Sequence, residues 1–154
     1  HSRSRKTDLE AQYGLEYTEL EPLLETADFV SLHVPLTPDT RHLIGEPELK
    51  RMKPSAILVN LARGPVVDGR ALYTALHEGW IYAAGLDVTD PEPIPASDPL
   101  LTLDNLVVTP HIGSASIDSR RTTCLLAARN LLAGLQGQRL EQCANPDVYT
   151  NIGL

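Results

Sequence analysis

AILVNLARGPVVDGRALYTALHEGWIYAAGLDV, residues 56–88, is the stretch that decides the fold. It opens on the apolar run Ala56-Ile57-Leu58-Val59 and closes on Ala83-Ala84-Gly85-Leu86-Asp87-Val88. Between them, Asp68 to Glu78 carries Leu72, Ala75 and Leu76 on one helical face, and Gly79 suits a helix stop. Short, nearly continuous apolar runs are expected for strands covered on both faces. Outward from this unit the pattern repeats. Phe29-Val30-Ser31-Leu32-His33-Val34 lies upstream, Leu106-Val107-Val108 downstream, and a shorter helix over Glu46 to Lys53 is closed by Pro54. Strands alternating with helices predict an α/β fold, a doubly wound parallel sheet with crossover helices. A last helix is expected from Ser116 to Leu135, with Ile117, Cys124, Leu125, Ala128, Leu131, Leu132 and Leu135 on one stripe. The tail after Gly137 either packs on another part of the protein or is loose.

The 154 residues suffice for a domain with a real core, and 42% hydrophobic with 21% charged residues excludes a disordered chain. A net charge of -7 argues against nucleic acid and anionic membrane as partners. No apolar run approaches a membrane span. Cys124 and Cys143 are too few for a disulfide framework and lack metal-ligand spacing, so no metal site is expected and a reducing cytoplasm fits. His1-Ser2-Arg3-Ser4-Arg5-Lys6 has no initiator Met and reads as the middle of a longer chain.

Thr89 to Pro99 carries four prolines and follows a strand directly. It must be a loop outside the carboxyl end of the sheet, the edge where open parallel sheets bind ligands. Three side chains share that position: Arg63 after the second strand, Glu92 in the proline loop, and His111 after the fourth. Singly, each has a plainer reading, as a surface charge, a solvated loop acid and a strand-end histidine. Together they suit reduction of a 2-keto acid. An arginine fork holds a carboxylate in a fixed pose. A histidine, with a nearby carboxylate favouring its charged form, protonates the alkoxide left by hydride attack.

The motifs Ile57 to Gly64 (ILVNLARG), Val66-Val67-Asp68, Ala84-Gly85-Leu86-Asp87-Val88, Pro91-Glu92-Pro93 and Thr109-Pro110-His111-Ile112-Gly113-Ser114 occur in this order. In order and spacing they resemble the D-isomer-specific 2-hydroxyacid dehydrogenases. The similarity runs upstream through Ala27 to Pro38 and downstream to Asn145-Pro146. The loop from Asp87 to Pro95 with Asp98-Pro99-Leu100-Leu101 is similar to the glyoxylate/hydroxypyruvate reductase branch. The resemblance implies a Rossmann-like NAD(P)-binding domain over residues 1–115. Residues 116–154 would be a C-terminal helix and tail that pack toward a substrate domain. It implies that Arg63 binds the substrate carboxylate, that His111 is the acid/base with Glu92 as its partner, and that Ser114 lies beside the substrate. Asp87 would meet the nicotinamide carboxamide, with Val34, Pro35, Leu61 and Gly113 lining the ring and ribose. Thr40 is a further cofactor candidate whose plainer reading is a turn cap. Ser114 could equally cap the last helix.

NAD-preferring relatives of this fold hold the adenosine ribose with an acid at the end of the second strand. The matching stretch here, His1 to Lys6, has no acid and offers Ser2, Arg3, Ser4 and Arg5, which suit a 2′-phosphate. The cofactor expected is therefore NADP, with NAD second and Arg3 the first phosphate contact; the alternative is an idle basic chain end. The family's Gly-x-Gly-x-x-Gly turn and most of its substrate domain lie outside these residues. The chain alone is expected to be inactive or nearly so, marginally folded, and part of a protein that dimerises at full length. Two competing functions remain at this point: another D-2-hydroxyacid dehydrogenase of phosphoglycerate or sugar-acid type, and a cofactor-sensing corepressor-like binding module.

Overall fold

A computed structural model of the chain describes residues 1–152. The chain divides into two compact units, His1–His111 and Ile112–Leu154. In the first unit the order is α1 (Thr7–Tyr13), α2 (Leu20–Thr26), β1 (Phe29–Leu32), α3 (Glu46–Arg51), β2 (Ile57–Asn60), a 3-10 turn (Gly64–Val66), α4 (Gly69–His77), β3 (Ala83–Leu86), a second 3-10 turn (Pro99–Thr102) and β4 (Leu106–Val108). The strands form one parallel sheet in the order β1-β2-β3-β4. This is the predicted α/β architecture. The β1–β2 and β2–β3 connections pass through α3 and α4, and β3 reaches β4 through the proline loop and the second 3-10 turn, because parallel neighbours cannot be joined by a tight hairpin.

The helices begin and end where side chains satisfy their loose backbone groups. Asp68 caps α4 by accepting from the Arg70 and Ala71 amides at 2.9 and 3.1 Å, and Gly79 follows it with a positive φ. The helix α3 ends at Arg51, two residues short of the expected Lys53, because the residue before Pro54 is disfavoured in helical conformation. Two helices of this unit were not anticipated. The helix α1 buries no residue and so leaves no periodic apolar signal. The helix α2 carries Pro22 in its first turn, where the missing N–H costs nothing.

The sheet departs from the expectation of strands covered on both faces. Val30, Leu32, Leu58, Asn60, Ala84 and Leu86 point to one side and are buried with Leu24 of α2, Leu49 of α3, and Leu72, Ala75 and Leu76 of α4. The opposite side, in register across the strands, holds Phe29, Ser31, Ile57, Val59, Ala83, Gly85 and Val107. There Phe29 is 72% and Val107 65% exposed. The apolar runs were continuous enough for two covered faces, but the described helices of this unit pack on one.

The second unit contains α5 (Ile117–Leu135) and α6 (Val148–Ile152). The cap of α5 is Ser116, whose Oγ accepts from the Ser119 amide at 3.1 Å, not Ser114. The apolar stripe foreseen on α5 is present by spacing, yet no residue of this helix is buried. The tail is tied down rather than loose. Asn130 donates to the Gln142 carbonyl at 3.0 Å and accepts from its amide at 3.3 Å. The Tyr149 hydroxyl accepts from the Leu140 amide at 2.8 Å. Among the described residues, no helix is long and apolar enough to cross a membrane.

Candidate active site

The carboxyl ends of β2, β3 and β4 lie side by side, and the segments that leave them carry the candidate residues. From β4 the chain runs through Thr109, whose amide donates to the Leu86 carbonyl at 2.9 Å, to His111. The backbone of His111 is left-handed, φ 55°. This region is sparsely populated by residues other than glycine and asparagine, and such residues concentrate at functional sites. Its Nδ1 lies 2.7 Å from Oε1 of Glu92 in the proline loop after β3. A carboxylate can only accept, so Nδ1–H donates and Nε2 is the nitrogen left for another partner. Glu92 and His111 line an open cleft of about 410 Å³ together with Asp87, Thr89, Pro93, Ile94, Val108, Thr109 and Pro110. The structure thus brings Glu92 and His111 together beyond the strand ends.

Asp87 follows β3 directly and is only 7% exposed. Its Oδ1 accepts from the Thr109 hydroxyl at 2.6 Å, and its amide donates to the Asn60 carbonyl at 3.0 Å. A buried carboxylate demands hydrogen-bond donors, and the Thr109 hydroxyl is one. This link between the third and fourth strand ends was not foreseen.

Arg63 is exposed and stands in the turn after β2. Its Nη1 donates to the carbonyl of Ala62 at 2.7 Å. The turn is shaped by Asn60, whose Oδ1 accepts from the Ala62 amide at 3.0 Å and whose Nδ2 donates to the Arg63 carbonyl at 2.9 Å. Next comes Gly64. A Cβ there would stand 1.9 Å from the Thr89 carbonyl oxygen and 2.7 Å from the Asp90 nitrogen. Only glycine permits this contact, and the contact seats the Arg63 turn against the loop that carries Glu92. Both residues lie within the quoted sequence motif, but their roles depend on the path of the chain. The one local signal was a polar residue ending an apolar strand.

The remaining candidates divide. Val34, half-buried, and Pro35, exposed, stand past the end of β1, and Leu61, exposed, past the end of β2. Thr40 behaves as a turn brace. Its hydroxyl donates to the Pro35 carbonyl at 2.6 Å and accepts from the Thr37 amide at 2.8 Å, the plainer of its two readings. Gly113 and Ser114 follow His111 in the chain and belong to the second unit. Ser2, Arg3, Ser4 and Arg5 form an exposed irregular segment leading into α1. The absence of an acid among residues 1–6 does not leave this segment free of one. Glu10, one turn into α1, pairs with Arg5, and the Arg5 guanidinium also lies over the Tyr17 ring at 5.0 Å. The hydrogen bond from Arg5 holds the Glu10 carboxyl below its ordinary range and raises Arg5 in turn. Arg3 has no ion pair among the described residues.

The sequence model of the D-isomer specific 2-hydroxyacid dehydrogenase NAD binding domain matches residues 1–113, most of the chain and the whole of its first unit. The chain belongs to the D-isomer specific 2-hydroxyacid dehydrogenase family. It is 54% identical over 144 residues to the glyoxylate reductase of Korarchaeum cryptofilum, covering 94% of this chain and 43% of that protein. It is 47% identical over 148 residues to glyoxylate/hydroxypyruvate reductase B of an Enterobacter strain, covering 96% of this chain and 46% of that protein. Among solved structures, the TT0316 protein of Thermus thermophilus superposes with a TM-score of 0.81 at 48% identity, over 91% of this chain and 43% of the other. The D-lactate dehydrogenase of Lactobacillus jensenii, solved with NAD+, gives 0.80 at 34% identity, over 91% and 46%. The chain thus spans less than half the length of these dehydrogenases, and the match confirms the Rossmann-like fold.

The residues present fit a nicotinamide. Asp87 brings a carboxylate acceptor, suited to carboxamide N–H groups, to the wall of the same cleft as the Glu92–His111 pair.

Proposed function

We propose that the protein to which this chain belongs reduces a small 2-keto acid, glyoxylate or hydroxypyruvate, to the D-2-hydroxy acid, glycolate or D-glycerate. The observation that carries this reading is the Glu92–His111 pair, 2.7 Å apart in a cleft shared with Asp87 at the carboxyl end of a parallel sheet. The names of the relatives support the substrate class.

When bound, the reduced nicotinamide supplies the hydride. Arg63 holds the keto acid by its carboxylate through two parallel N–H···O bonds, which orients the carbonyl. His111, charged and held by Glu92 through Nδ1, gives its Nε2 proton to the carbonyl oxygen as that oxygen gains charge. It is left neutral and takes a proton from solvent before the next turnover. Glu92 stabilises the charged imidazole and fixes its orientation, while Asp87, Val34, Pro35 and Leu61 hold the nicotinamide end of the cofactor.

NADPH is the cofactor we assign, in preference to NADH. Ser2, Arg3 and Ser4 offer hydroxyls and a guanidinium for the 2′-phosphate, with Arg3 the principal contact because Arg5 is engaged by Glu10. Residues 116–154 pack toward a substrate domain, and the working protein is a cytoplasmic homodimer, as the family resemblance suggests. The test is steady-state turnover of glyoxylate and hydroxypyruvate by the full-length polypeptide, with NADPH and NADH in parallel. The expected result is turnover with NADPH favoured, and a preference reversed by Arg3→Glu. A preference for NADH that Arg3→Glu leaves unchanged sinks the cofactor assignment; no turnover of either acid sinks the substrate assignment.

A further inference from the structure

Asn60 is fully buried, and its place in the sheet is one where packing alone calls for an apolar residue. It is in register with Leu32 on one side and Leu86 on the other, in a row facing the core. An amide in such a row is tolerated only when its hydrogen bonds are made. Asn60 makes them with the turn that carries Arg63. Its Oδ1 takes the Ala62 amide, and its Nδ2 gives to the Arg63 carbonyl. The Arg63 guanidinium in turn rests on the Ala62 carbonyl. Both the backbone of Arg63 and its side-chain head are therefore referred to Asn60.

We propose that Asn60 is the positioning residue of the substrate clamp, its amide holding the turn in the shape that presents Arg63 to the substrate carboxylate. This rests on Arg63 as the carboxylate anchor. Asparagine is required because the turn asks for one acceptor and one donor from the same short side chain. Aspartate offers two acceptors and sets one against the Arg63 carbonyl. Serine is too short to span both partners. Gly64 then fixes the far side of the turn against Thr89 and Asp90, so a turn released by loss of Asn60 swings about that contact and Arg63 moves with it.

The experiment compares the parent full-length polypeptide with Asn60→Ser, Asn60→Asp and the core control Leu58→Ala. The readouts are the KM for glyoxylate, the KM for the nicotinamide cofactor, inhibition by oxamate (an unreactive keto-acid analogue) and Tm. Both Asn60 variants should raise the glyoxylate KM and weaken oxamate about 10-fold or more, and move the cofactor KM by much less. Leu58→Ala should lower Tm with both KM values intact. Parental glyoxylate KM in Asn60→Ser, or equal movement of both KM values, overturns the proposal. Should neither Asn60 variant fold, hydrogen exchange on the parent decides. The Ala62 amide should be protected and slowed further by oxamate; an amide indifferent to oxamate overturns the proposal. A parent that does not turn over glyoxylate removes the Arg63 assignment and this proposal with it. Turnover by the parent with unaltered variants removes this proposal alone.

Discussion

His111 combines a demanding backbone with a demanding side chain. Its φ of 55° suits glycine or asparagine, while the chemistry asks for a proton donor, and the two requirements can be separated. His111→Asn keeps the left-handed backbone accessible and removes the imidazole. It should leave Tm at or above the parental value and lower kcat by about 10²–10⁴-fold, read by thermal unfolding and steady-state rates on the same preparations. Arg63→Lys should keep the charge, lose the bidentate fork, and raise the KM for glyoxylate more than it lowers kcat. At the other end of the first unit, the hydrogen bond from Arg5 holds the Glu10 carboxyl low. A group depressed on folding contributes fully above its unfolded pKa, about 4.3 for glutamate, and its contribution is lost as pH falls through the lower folded value. An NMR titration should therefore find the Glu10 midpoint below that of a free glutamate, and Glu10→Gln, by releasing Arg5, should lower the KM for NADPH and leave that for NADH unchanged.

Among the elements, the turn between β2 and α4 carries the heaviest constraint. Gly64→Ala places a Cβ inside the contact radius of the Thr89 carbonyl, a backbone atom that cannot rotate away. The variant should lose about 1–3 kcal/mol or more by chemical denaturation, and its activity should fall as the Arg63 and Glu92 loops separate. Asp68→Ala should cost about 1 kcal/mol by the same measurement, because two α4 amides lose their acceptor. Much at this scale was legible in the sequence. Strand cores, the stop at Gly79 and the placing of Arg63, Glu92 and His111 beyond strand ends follow from local patterns, since period and turn chemistry are local properties. The clamp made by Asn60, the contact of Gly64 with Thr89 and the Thr109–Asp87 hydrogen bond were not legible. Each joins a side chain to a backbone or strand end whose position is known only once the sheet is assembled. Ser114 and Ser116 show the same limit on a small scale. Both are good caps by type, and only the path of the chain selects Ser116.

For the molecule as a whole, the uncovered side of the sheet is the feature that sequence patterning misjudged. Apolar strands predict two covered faces, and periodicity does not say which chain segment supplies the second cover. With Phe29 and Val107 exposed on that side, the 154-residue chain taken alone should self-associate with rising concentration, and Phe29→Ser with Val107→Thr should suppress it, as read by sedimentation. The central claim is that His111, held by Glu92, protonates a small keto acid during its reduction. The most direct test is glyoxylate turnover by the full-length parent and by His111→Asn, each supplied with NADPH and each shown to bind it. The account predicts a parent that reduces glyoxylate and a variant that binds cofactor equally but turns over at least about 100-fold more slowly. A variant with parental kcat, or a parent that leaves glyoxylate untouched, would contradict it.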